Sequence, residues 1–512
     1  MDRNKPINHI VLATSACVLL TACASTLLWT TIHETPEVTM SINSAIDNNN
    51  NIYVAGAQRI DNEDDTFNYS GLLQKYQSNG DLLWSVPYDQ FDYAVKPVPL
   101  SDDYLLLLTV DNWYSPNGAK SLWATSTTNG TSHQLIEAPL NHGVRDIVVT
   151  DQQAFALIDT EDDDELVVID SAANIVNNLV LDGRTSRISV DNQGDAYLYR
   201  TYLGGSAIEG YDSELNQVWS SENLYTLGIT GCNDQELNGL YFDGNNDLII
   251  HCAHQLAKIE KSTGDVIFVE DYSNLFSRKD TSDTEGYFDW EFGPSNLVFD
   301  DNNQIYLTTT RTRSYTGRYG NVKIVDGTST LRADVVVIKF DGNTGERLWV
   351  DDINGSLFPS QTGLIANFYY PLSLSLINEE IQVTFRGFRG EYIGDDDPSD
   401  ETTNCYSGIE ATSTFVPFNG CNLSSINDNY ARTFYYNREN GERRKGTKYA
   451  IEYPSAALIT DENTTVLVGD SAWEAFSNSL EYALLGKGYY SDYHIDEKRT
   501  QASNIVVEKH TL

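Results

Sequence analysis

The sequence predicts an all-β protein, a single β-propeller with eight four-stranded blades. A two-part phrase, made of an acidic turn with a strand and then a strand hairpin, recurs about every 40–80 residues, which is typical of propeller blades. No segment shows a sustained helical period, and the composition of 31 Tyr, 35 Gly and only 2 Met favours strands. One domain of this kind accounts for almost all of the 512 residues.

The first part of the repeat is a turn that begins with Asp and leads into a strand. In its clear copies the Asp stands five residues before the first strand residue, as at Asp47, Asp191, Asp243, Asp300 and Asp461. Looser copies lie at 101–108, 150–158 and 377–385. Eight copies predict eight blades; seven remain the alternative if one weak copy is an insertion.

The second part is a hairpin whose last strand often carries Trp. It runs through a Gly- or Asn-bearing turn to Trp84, Trp219 and Trp349 in its clearest copies. Short alternating strands bounded by such turns are hairpin signals. Weaker copies lie at 121–135, 166–181 and 433–449, which are segments with the same alternation.

The eighth hairpin is divided between the two ends of the chain. Residues 504–512 supply its first strand and then stop, while 26–30 resemble the Trp-bearing strand at 81–85. A ring closed in this way leaves no unpaired edge at its seam. We therefore expect the propeller to span 26–512, with an N-terminal strand completing the last blade and Trp29 between blades. The alternative is that 27–29 are only a tether.

The hairpin at 341–349 resembles the tryptophan-docking repeat of PQQ-like eight-bladed propellers, since it combines Asp341, Gly345 and Trp349. The resemblance implies that each Trp packs between neighbouring blades, where the turn residues hold it. Trp29, Trp84, Trp219 and Trp349 are then structural. This repeat serves enzymes and scaffolds alike, so it indicates architecture rather than activity.

The N-terminus predicts export and lipidation. Arg3 and Lys5 precede an apolar stretch at 10–20 that is too short to span a bilayer, which is typical of a signal peptide over 1–22. The order Leu-Thr-Ala-Cys at 20–23 resembles the lipobox of bacterial lipoproteins. The resemblance implies that Cys23 carries diacylglycerol and acyl chains such as palmitate, with 23–25 as the anchored linker. Several acyl chains anchor a protein stably.

Ala24 rather than Asp follows this Cys, which by the same resemblance favours the outer membrane. The protein would then face the periplasm or the cell surface. An ordinary secretory cleavage at another position is the alternative.

The remaining cysteines fit an oxidising compartment. After Cys17 and Cys23 are set aside, four are left, which allow three pairings. We expect the two local pairs, Cys232 with Cys252 and Cys405 with Cys421. The second pair would staple an insertion at about 386–432, the loop best suited to contact a partner or ligand.

Charge and motifs exclude several function classes. A net charge of −41 repels nucleic acid. The sequence has no two adjacent cysteines of the kind that quinoprotein dehydrogenases on this scaffold carry. It also has no hydrolase, metalloprotease or nucleotide-binding motif. We expect no metal and no cofactor, with calcium at the Asp-Asn turns as the alternative. The acidic stretches at 161–165 and 395–401 are expected to be solvated loops.

Four basic residues are candidates for catalysis. His142 with Arg145, and His251 with His254, lie beside strand signals. Propeller polysaccharide lyases use His, Tyr and Arg near the axis to neutralise a uronate and abstract its proton, and such acid–base work needs these groups to converge. The favoured interpretation is structural, with His251 a strand residue next to Cys252 and His254 a turn residue.

The sequence therefore favours a non-catalytic binding or scaffold protein with a protein partner in the outer membrane. In anchor and blade type it is similar to the propeller lipoprotein of the outer-membrane β-barrel assembly machinery, although this chain is longer and more acidic. The alternatives are a lyase-like enzyme acting on a polysaccharide and an accessory protein for nutrient uptake.

Overall fold

The computed structural model describes residues 27–32, 38–61, 67–111, 120–137, 142–150, 153–160, 163–202, 205–230, 232, 237–252, 254–275, 287–319, 322–324, 330–354, 357–359, 363–394, 404–405, 421–449, 451, 453–461, 464–470 and 505–511. Within these ranges the strands are numbered along the chain from β1 (Leu27–Ile32) to β35 (Ile505–Thr511). A 3-10 turn at Ser273–Leu275 is the only helical element of the described residues.

Each of the first four blades consists of four consecutive antiparallel strands, and a parallel pair of Gly143 with Lys120 joins blades 2 and 3 into one eight-stranded sheet. They consist of β2 (Thr39–Ile46), β3 (Ile52–Asp61), β4 (Phe67–Tyr76) and β5 (Leu82–Tyr88) in blade 1; β6 (Tyr93–Pro99), β7 (Tyr104–Val110), β8 (Lys120–Ser126) and β9 (Ser132–Ile136) in blade 2; β10 (Gly143–Val149), β11 (Gln153–Asp159), β12 (Asp164–Asp170) and β13 (Ile175–Leu181) in blade 3; and β14 (Arg184–Val190), β15 (Ala196–Tyr202), β16 (Gly205–Tyr211) and β17 (Gln217–Ser220) in blade 4.

The next three blades follow the same plan, and blades 6 and 7 carry extra strands. They consist of β18 (Leu237–Phe242), β19 (Leu248–Cys252), β20 (Gln255–Ile259) and β21 (Val266–Asp271) in blade 5; β22 (Tyr287–Phe299), β23 (Ile305–Tyr319), β25 (Thr330–Phe340) and β26 (Arg347–Ile353) in blade 6; and β28 (Gly363–Ile377), β29 (Glu380–Gly394), β31 (Cys421–Asn437) and β32 (Arg443–Tyr449) in blade 7. The extra strands are β24 (Val322–Ile324), β27 (Leu357–Pro359) and β30 (Asn404–Cys405).

Blade 8 joins the two ends of the chain. It consists of β33 (Tyr453–Asp461), β34 (Thr464–Asp470), β35 and then β1, which pairs antiparallel with β35 so that Thr30 lies opposite Glu508. The predicted closure by an N-terminal strand is confirmed, and the blade count is eight.

The first strand of each blade is the innermost, because first strands of successive blades contact one another, as β10 does β14 and β14 does β18. Each of these eight strands contains at least one β-bulge or irregularity, which changes the direction of the local side chains, and β33 contains a second one between Ile459 and Asp461. The register shifts fall between Ser41 and Asn43, Ala94 and Lys96, Val144 and Asp146, Thr185 and Arg187, Leu237 and Gly239, Phe292 and Ser295, Pro371 and Ser373, and Pro454 and Ala456.

The apolar core lies between the faces of adjacent blades. At the seam, for example, Val54 and Leu72 of blade 1 are buried in one cluster with Val466, Val468 and Val507 of blade 8. Burial of this kind supplies most of the favourable free energy of folding. The blades are therefore held together by side chains as well as by the closing strand pair.

Aromatic side chains on the outermost strands dock against the next blade. The indole N–H of Trp84 donates to the Thr127 carbonyl of blade 2 at 3.1 Å, and that of Trp349 donates to the Arg438 carbonyl of blade 7 at 3.3 Å. Both rings are half-buried.

A glycine in the receiving turn accompanies each docked ring. A Cβ built on Gly441 would lie 2.6 Å from the Trp349 ring, and Gly264 faces the Trp219 ring at 3.5 Å. The turns of blades 3 and 4 have Ala173 and Leu215 at the equivalent positive φ instead, and they receive no aromatic ring from the blade before. Close approach of a ring is what requires glycine here.

The predicted insertion at about 386–432 begins and ends on long strands of blade 7. β29 continues to Gly394 and β31 starts at Cys421, while 395–403 and 406–420 lie outside the described residues. No helix able to cross a membrane is found in the described part of the chain. Cys23 and the signal segment 1–22 also lie outside it.

Candidate functional site at the inner strands of blades 2 to 4

A group of charged side chains lies where blades 2, 3 and 4 meet. Its centre is Arg145, the residue skipped at the register shift of β10. The Arg145 guanidinium is 2.7 Å from Asp159 and 3.3 Å from Asp164, and it donates to the Thr185 carbonyl of blade 4 at 2.7 Å. Two carboxylates and one carbonyl thus fix this side chain in place.

Asp164 of blade 3 also links blade 3 to blade 4. It is buried and accepts the backbone N–H of Thr185. Burial raises the pKa of Asp164, whereas Arg145 opposes this shift. Because Asp164 belongs to the acidic stretch at 161–165, the expectation that this stretch is a solvated loop was wrong for Asp164.

His142 precedes β10 beside the same ion pair. Its Nδ1 is 3.5 Å from an Asp159 carboxylate oxygen, and its carbonyl accepts the Lys120 N–H at 3.4 Å. Gly143 allows this approach, because its φ is +145° and a Cβ there would lie 2.5 Å from the Lys120 carbonyl oxygen. Blade 2 therefore contacts blade 3 at a glycine.

Lys120 and Arg187 add two further cations. Lys120 begins β8, and its pKa is lowered by desolvation and then by the positive charges of Arg145 and Arg187, whereas Asp159 opposes this shift. Arg187 follows the register shift of β14 and donates to the Ser186 carbonyl at 3.1 Å.

The other two candidates lie in blade 5. His251 is fully buried, and its Nε2 is 2.7 Å from the Tyr272 hydroxyl. Burial lowers the pKa of His251 to about 3, so the ring is neutral at physiological pH. His254 lies 4.0 Å from Asp271. The structure therefore brings His142 together with Arg145, but it places His251 and His254 two blades away, and His251 has no access to solvent.

Of the predicted disulfides, the structure contains Cys232–Cys252, with Cα atoms 5.1 Å apart. Cys405 and Cys421 lie on β30 and β31, but their side chains are outside the described part of the structure, so that pair stays a prediction. The Cys232 carbonyl also accepts the Tyr199 hydroxyl of blade 4 at 2.9 Å.

The repeated Asp residues shape their own turns. In Asp47, Asp191, Asp243 and Asp300 one carboxylate oxygen accepts backbone N–H groups from the residues two and four positions further on. This is the geometry that makes Asp a turn residue. No group of three or more His, Cys, Asp or Glu suited to a metal ion occurs among the described residues.

No family model matches this sequence. Among solved structures it is similar to a quinohemoprotein alcohol dehydrogenase from Comamonas testosteroni, with 8% identity, a TM-score of 0.49, and coverage of 95% of this chain and 76% of that chain. It is also similar to a quinohemoprotein alcohol dehydrogenase from Pseudomonas putida HK5, with 8% identity, a TM-score of 0.46, and coverage of 95% of this chain and 76% of that chain. The propeller domain of the Trilobed protease from Pyrococcus furiosus is 8% identical, with a TM-score of 0.38, and the match covers 81% of this chain and 99% of that chain. Such likeness concerns the fold alone.

Lys120, Arg187 and Asp159 could not be recognised from the sequence as parts of a site. They lie on three different blades, and nothing in the spacing of the chain indicates that β8, β11 and β14 bring them together. A sequence signal exists only for Arg145, whose neighbouring His142 marked it as a candidate.

Proposed function

We propose that this protein is a lipid-anchored propeller of the bacterial outer membrane that binds a protein partner along its outermost strands and catalyses no reaction. The anchor is the acylated Cys23, four residues before β1. The proposal keeps the resemblance to the propeller lipoprotein of the β-barrel assembly machinery for the anchor and blade type, and it leaves the partner's identity open.

The observation that carries this proposal is a belt of exposed aliphatic side chains. Each stands immediately before the position of the docked ring, so the strand alternation turns it outward. The belt comprises Leu28, Leu83, Val176, Val218, Ile267 and Leu348, whose exposure ranges from 41% to 57%. Blades 2 and 7 have His133 and Arg444 at the same position.

Blade 3 presents the most favourable edge for a partner. Its outermost strand β13 has no charged residue, and Ile175, Val176 and Val180 are all exposed. Natural edge strands are usually protected by charges or proline. An extended segment of another protein can add to such an edge through main-chain hydrogen bonds, with side chains giving specificity. In a chain of net charge −41, an uncharged apolar edge favours contact with protein.

The enzyme alternative has less support, because its candidate residues are divided between blades 3 and 5 and His251 is buried. An assay for unsaturated products on uronate polymers tests it directly. The uptake alternative shares the binding role and differs in its partner, which would be an outer-membrane transporter.

Site-specific photo-crosslinking in intact cells tests the proposal. A photoreactive residue at Val176 or Val180 is expected to give one discrete protein adduct, whereas the same residue at Arg444 of blade 7 is the matched control and gives none. Equal labelling at all three positions, or none, would contradict binding at β13. Cys23→Ser is expected to release the protein from membranes, and retention after a high-salt wash would contradict the anchor.

A further inference from the structure

We propose that β32, the outermost strand of blade 7, contacts the phospholipid headgroups of the membrane in which the acylated Cys23 is anchored. The surface it contacts is an anionic bilayer, such as one that contains phosphatidylglycerol. This inference rests on the proposed anchor and adds how the propeller lies on the membrane. Blade 7 faces the bilayer, and blade 3, which is opposite blade 7 in a ring of eight, faces away from it with β13 free for a partner.

The first argument is the charge of β32. This strand, Arg443–Tyr449, has four basic residues and no acidic residue among its 7 positions. The outermost strands of the other blades have net charges between −2 and 0. In a chain with 33 Lys+Arg against 74 Asp+Glu, most of the surface is repelled by an anionic bilayer. Of the eight outermost strands, β32 is therefore the one that such a bilayer attracts.

The second argument is that half of this charge is not neutralised within the protein. Arg443 and Arg444 form ion pairs with carboxylates of blades 6 and 7, at 2.9 Å and 2.5 Å. Lys445 and Lys448 are exposed, and neither forms an ion pair with any described residue. The two lysines are therefore available to headgroup phosphates, which accept charge-assisted hydrogen bonds.

A third cation lies opposite one of these lysines. Arg432 of β31 is the Cα partner of Lys448 in the sheet, and it too has no ion pair within the described part of the chain. The Lys448 Nζ lies 4.2 Å from the centre of the Tyr430 ring, and the Arg432 guanidinium carbon lies 5.4 Å from the same centre. Like charges directly opposite each other on two strands are destabilising, so an anionic headgroup at this ring offsets the repulsion.

The third argument is the distance from β32 to the anchor. The Tyr449 ring at the end of β32 packs edge-on against the His510 ring of blade 8, with the ring centres 4.6 Å apart. His510 is in turn the Cα partner of Leu27, where β1 begins. Cys23 is four residues before Leu27, and four extended residues span at most about 14 Å. The acyl chains therefore keep the edge of blades 7 and 8 close to the bilayer, where a weak attraction is enough to orient the ring.

The test is acetylation of lysine side chains in the full lipidated chain on vesicles, read by mass spectrometry. Vesicles of phosphatidylcholine alone are compared with vesicles that also contain phosphatidylglycerol. On the anionic vesicles we expect Lys445 and Lys448 to react at least about ten times more slowly, and about 1 M salt to remove this protection. Lys96, an exposed lysine of the inner strand β6, is the internal control and keeps its rate.

Two variants assign the protection to charge. Lys448→Gln should reduce the protection of Lys445 about fivefold, because each basic residue near an anionic surface strengthens binding by roughly that factor. Lys96→Gln is the matched control and should leave the protection of Lys445 unchanged. Melting curves establish that both variants are folded.

Several outcomes would overturn the inference. These are no protection on anionic vesicles, equal protection on phosphatidylcholine alone, equal protection of Lys96, and no effect of Lys448→Gln. Protection by dissolved polygalacturonate, with none on vesicles, would assign β32 to an acidic polysaccharide instead. A protein that floats with the vesicles but shows no protection overturns this inference alone, whereas a protein that does not float overturns the anchor as well. Crosslinking at Val176 tests the partner site separately.

Discussion

The indole N–H of Trp29 donates to the carbonyl of Ser78 across 3.3 Å, which joins the first described strand to the outer hairpin of blade 1. The Thr31 hydroxyl donates to the Gly80 carbonyl of the same turn at 2.7 Å. β1 is thus held twice, by its pairing with β35 and by this docking onto blade 1. The N-terminal strand is part of the ring and not a tether.

The first prediction concerns Trp29 itself. Trp29→Ala removes a half-buried ring and its hydrogen bond, so we expect a loss of about 3 kcal/mol in the free energy of unfolding. Leu28→Ala, at an exposed neighbouring position, is the control and should cost about 0.5 kcal/mol or less. Deletion of 505–512 should lower the melting temperature further, because it removes β35, the partner of β1. Equal melting of both point variants would contradict the docking role.

The second prediction concerns Gly80, whose φ is +90° and whose added Cβ would lie 2.6 Å from the Trp29 ring. Gly194 has the same φ of +90° but nothing within 4 Å of an added Cβ. Gly194→Ala should therefore lower the free energy of unfolding by about 1–2 kcal/mol, through backbone strain alone. Gly80→Ala should cost about 1–3 kcal/mol more, from overpacking.

A double-mutant cycle by chemical denaturation checks this assignment. In a Trp29→Ala background the cost of Gly80→Ala should fall to that of Gly194→Ala, because the clashing ring is gone. An unchanged cost of Gly80→Ala in that background would mean that the ring is not what excludes a side chain at this position.

The repeat could be predicted from the sequence because its signals are local. Asp47 and Asp300 shape turns within a few residues of themselves, and Trp84 and Trp349 mark the last strand of a hairpin, so each copy is visible in a short window. The ring closure was also visible, since Trp29 stands in a copy of the Trp84 strand.

The candidate site was not predictable in the same way. Arg145 meets Asp164 within its own blade, but the Thr185 carbonyl reaches it from blade 4. Which of many charged residues meet depends on how the inner strands are shifted at their bulges. His251 was interpreted from its place beside Cys252 in a strand as a structural residue, but its partner Tyr272 comes from tertiary packing that the sequence does not indicate.

The third prediction is an acid-dependent loss of stability caused by His251. Its pKa is about 3 in the folded protein and about 6.5 when unfolded, so between these values the unfolded state binds more protons. Stability should fall as the pH is lowered below about 6.5, by up to about 1.4 kcal/mol per pH unit. His251→Gln should reduce this slope in urea unfolding measured between pH 7 and pH 5. His254→Gln, a partly exposed control in the same blade, should keep it; an unchanged slope in His251→Gln would contradict the assignment.

The last prediction concerns Asp470, which lies at the seam between blades 8 and 1. Its effect on the pH dependence of stability is opposite in sign to that of His251. Its carboxyl is buried and accepts the backbone N–H of Ser41 at 2.8 Å. Burial raises the pKa of Asp470 to about 8, against which the Ser41 hydrogen bonds and the charge of Arg386 act only in part. Between about pH 4, the ordinary value for Asp, and pH 8 the folded state binds more protons than the unfolded state.

This group should therefore make the protein less stable as the pH rises from about 4 to 8. Asp470→Asn keeps an oxygen that can accept the Ser41 N–H but cannot ionise, so it should be at least as stable as the wild type at pH 8 and should lose this part of the pH dependence. Asp470→Ala removes the acceptor and should be less stable than Asp470→Asn at every pH, because the buried Ser41 N–H then loses its partner, at a cost of about 1–3 kcal/mol. Urea unfolding of the three proteins at pH 5 and pH 8 measures both effects. A wild-type pH slope in Asp470→Asn would show that Asp470 does not titrate in this range.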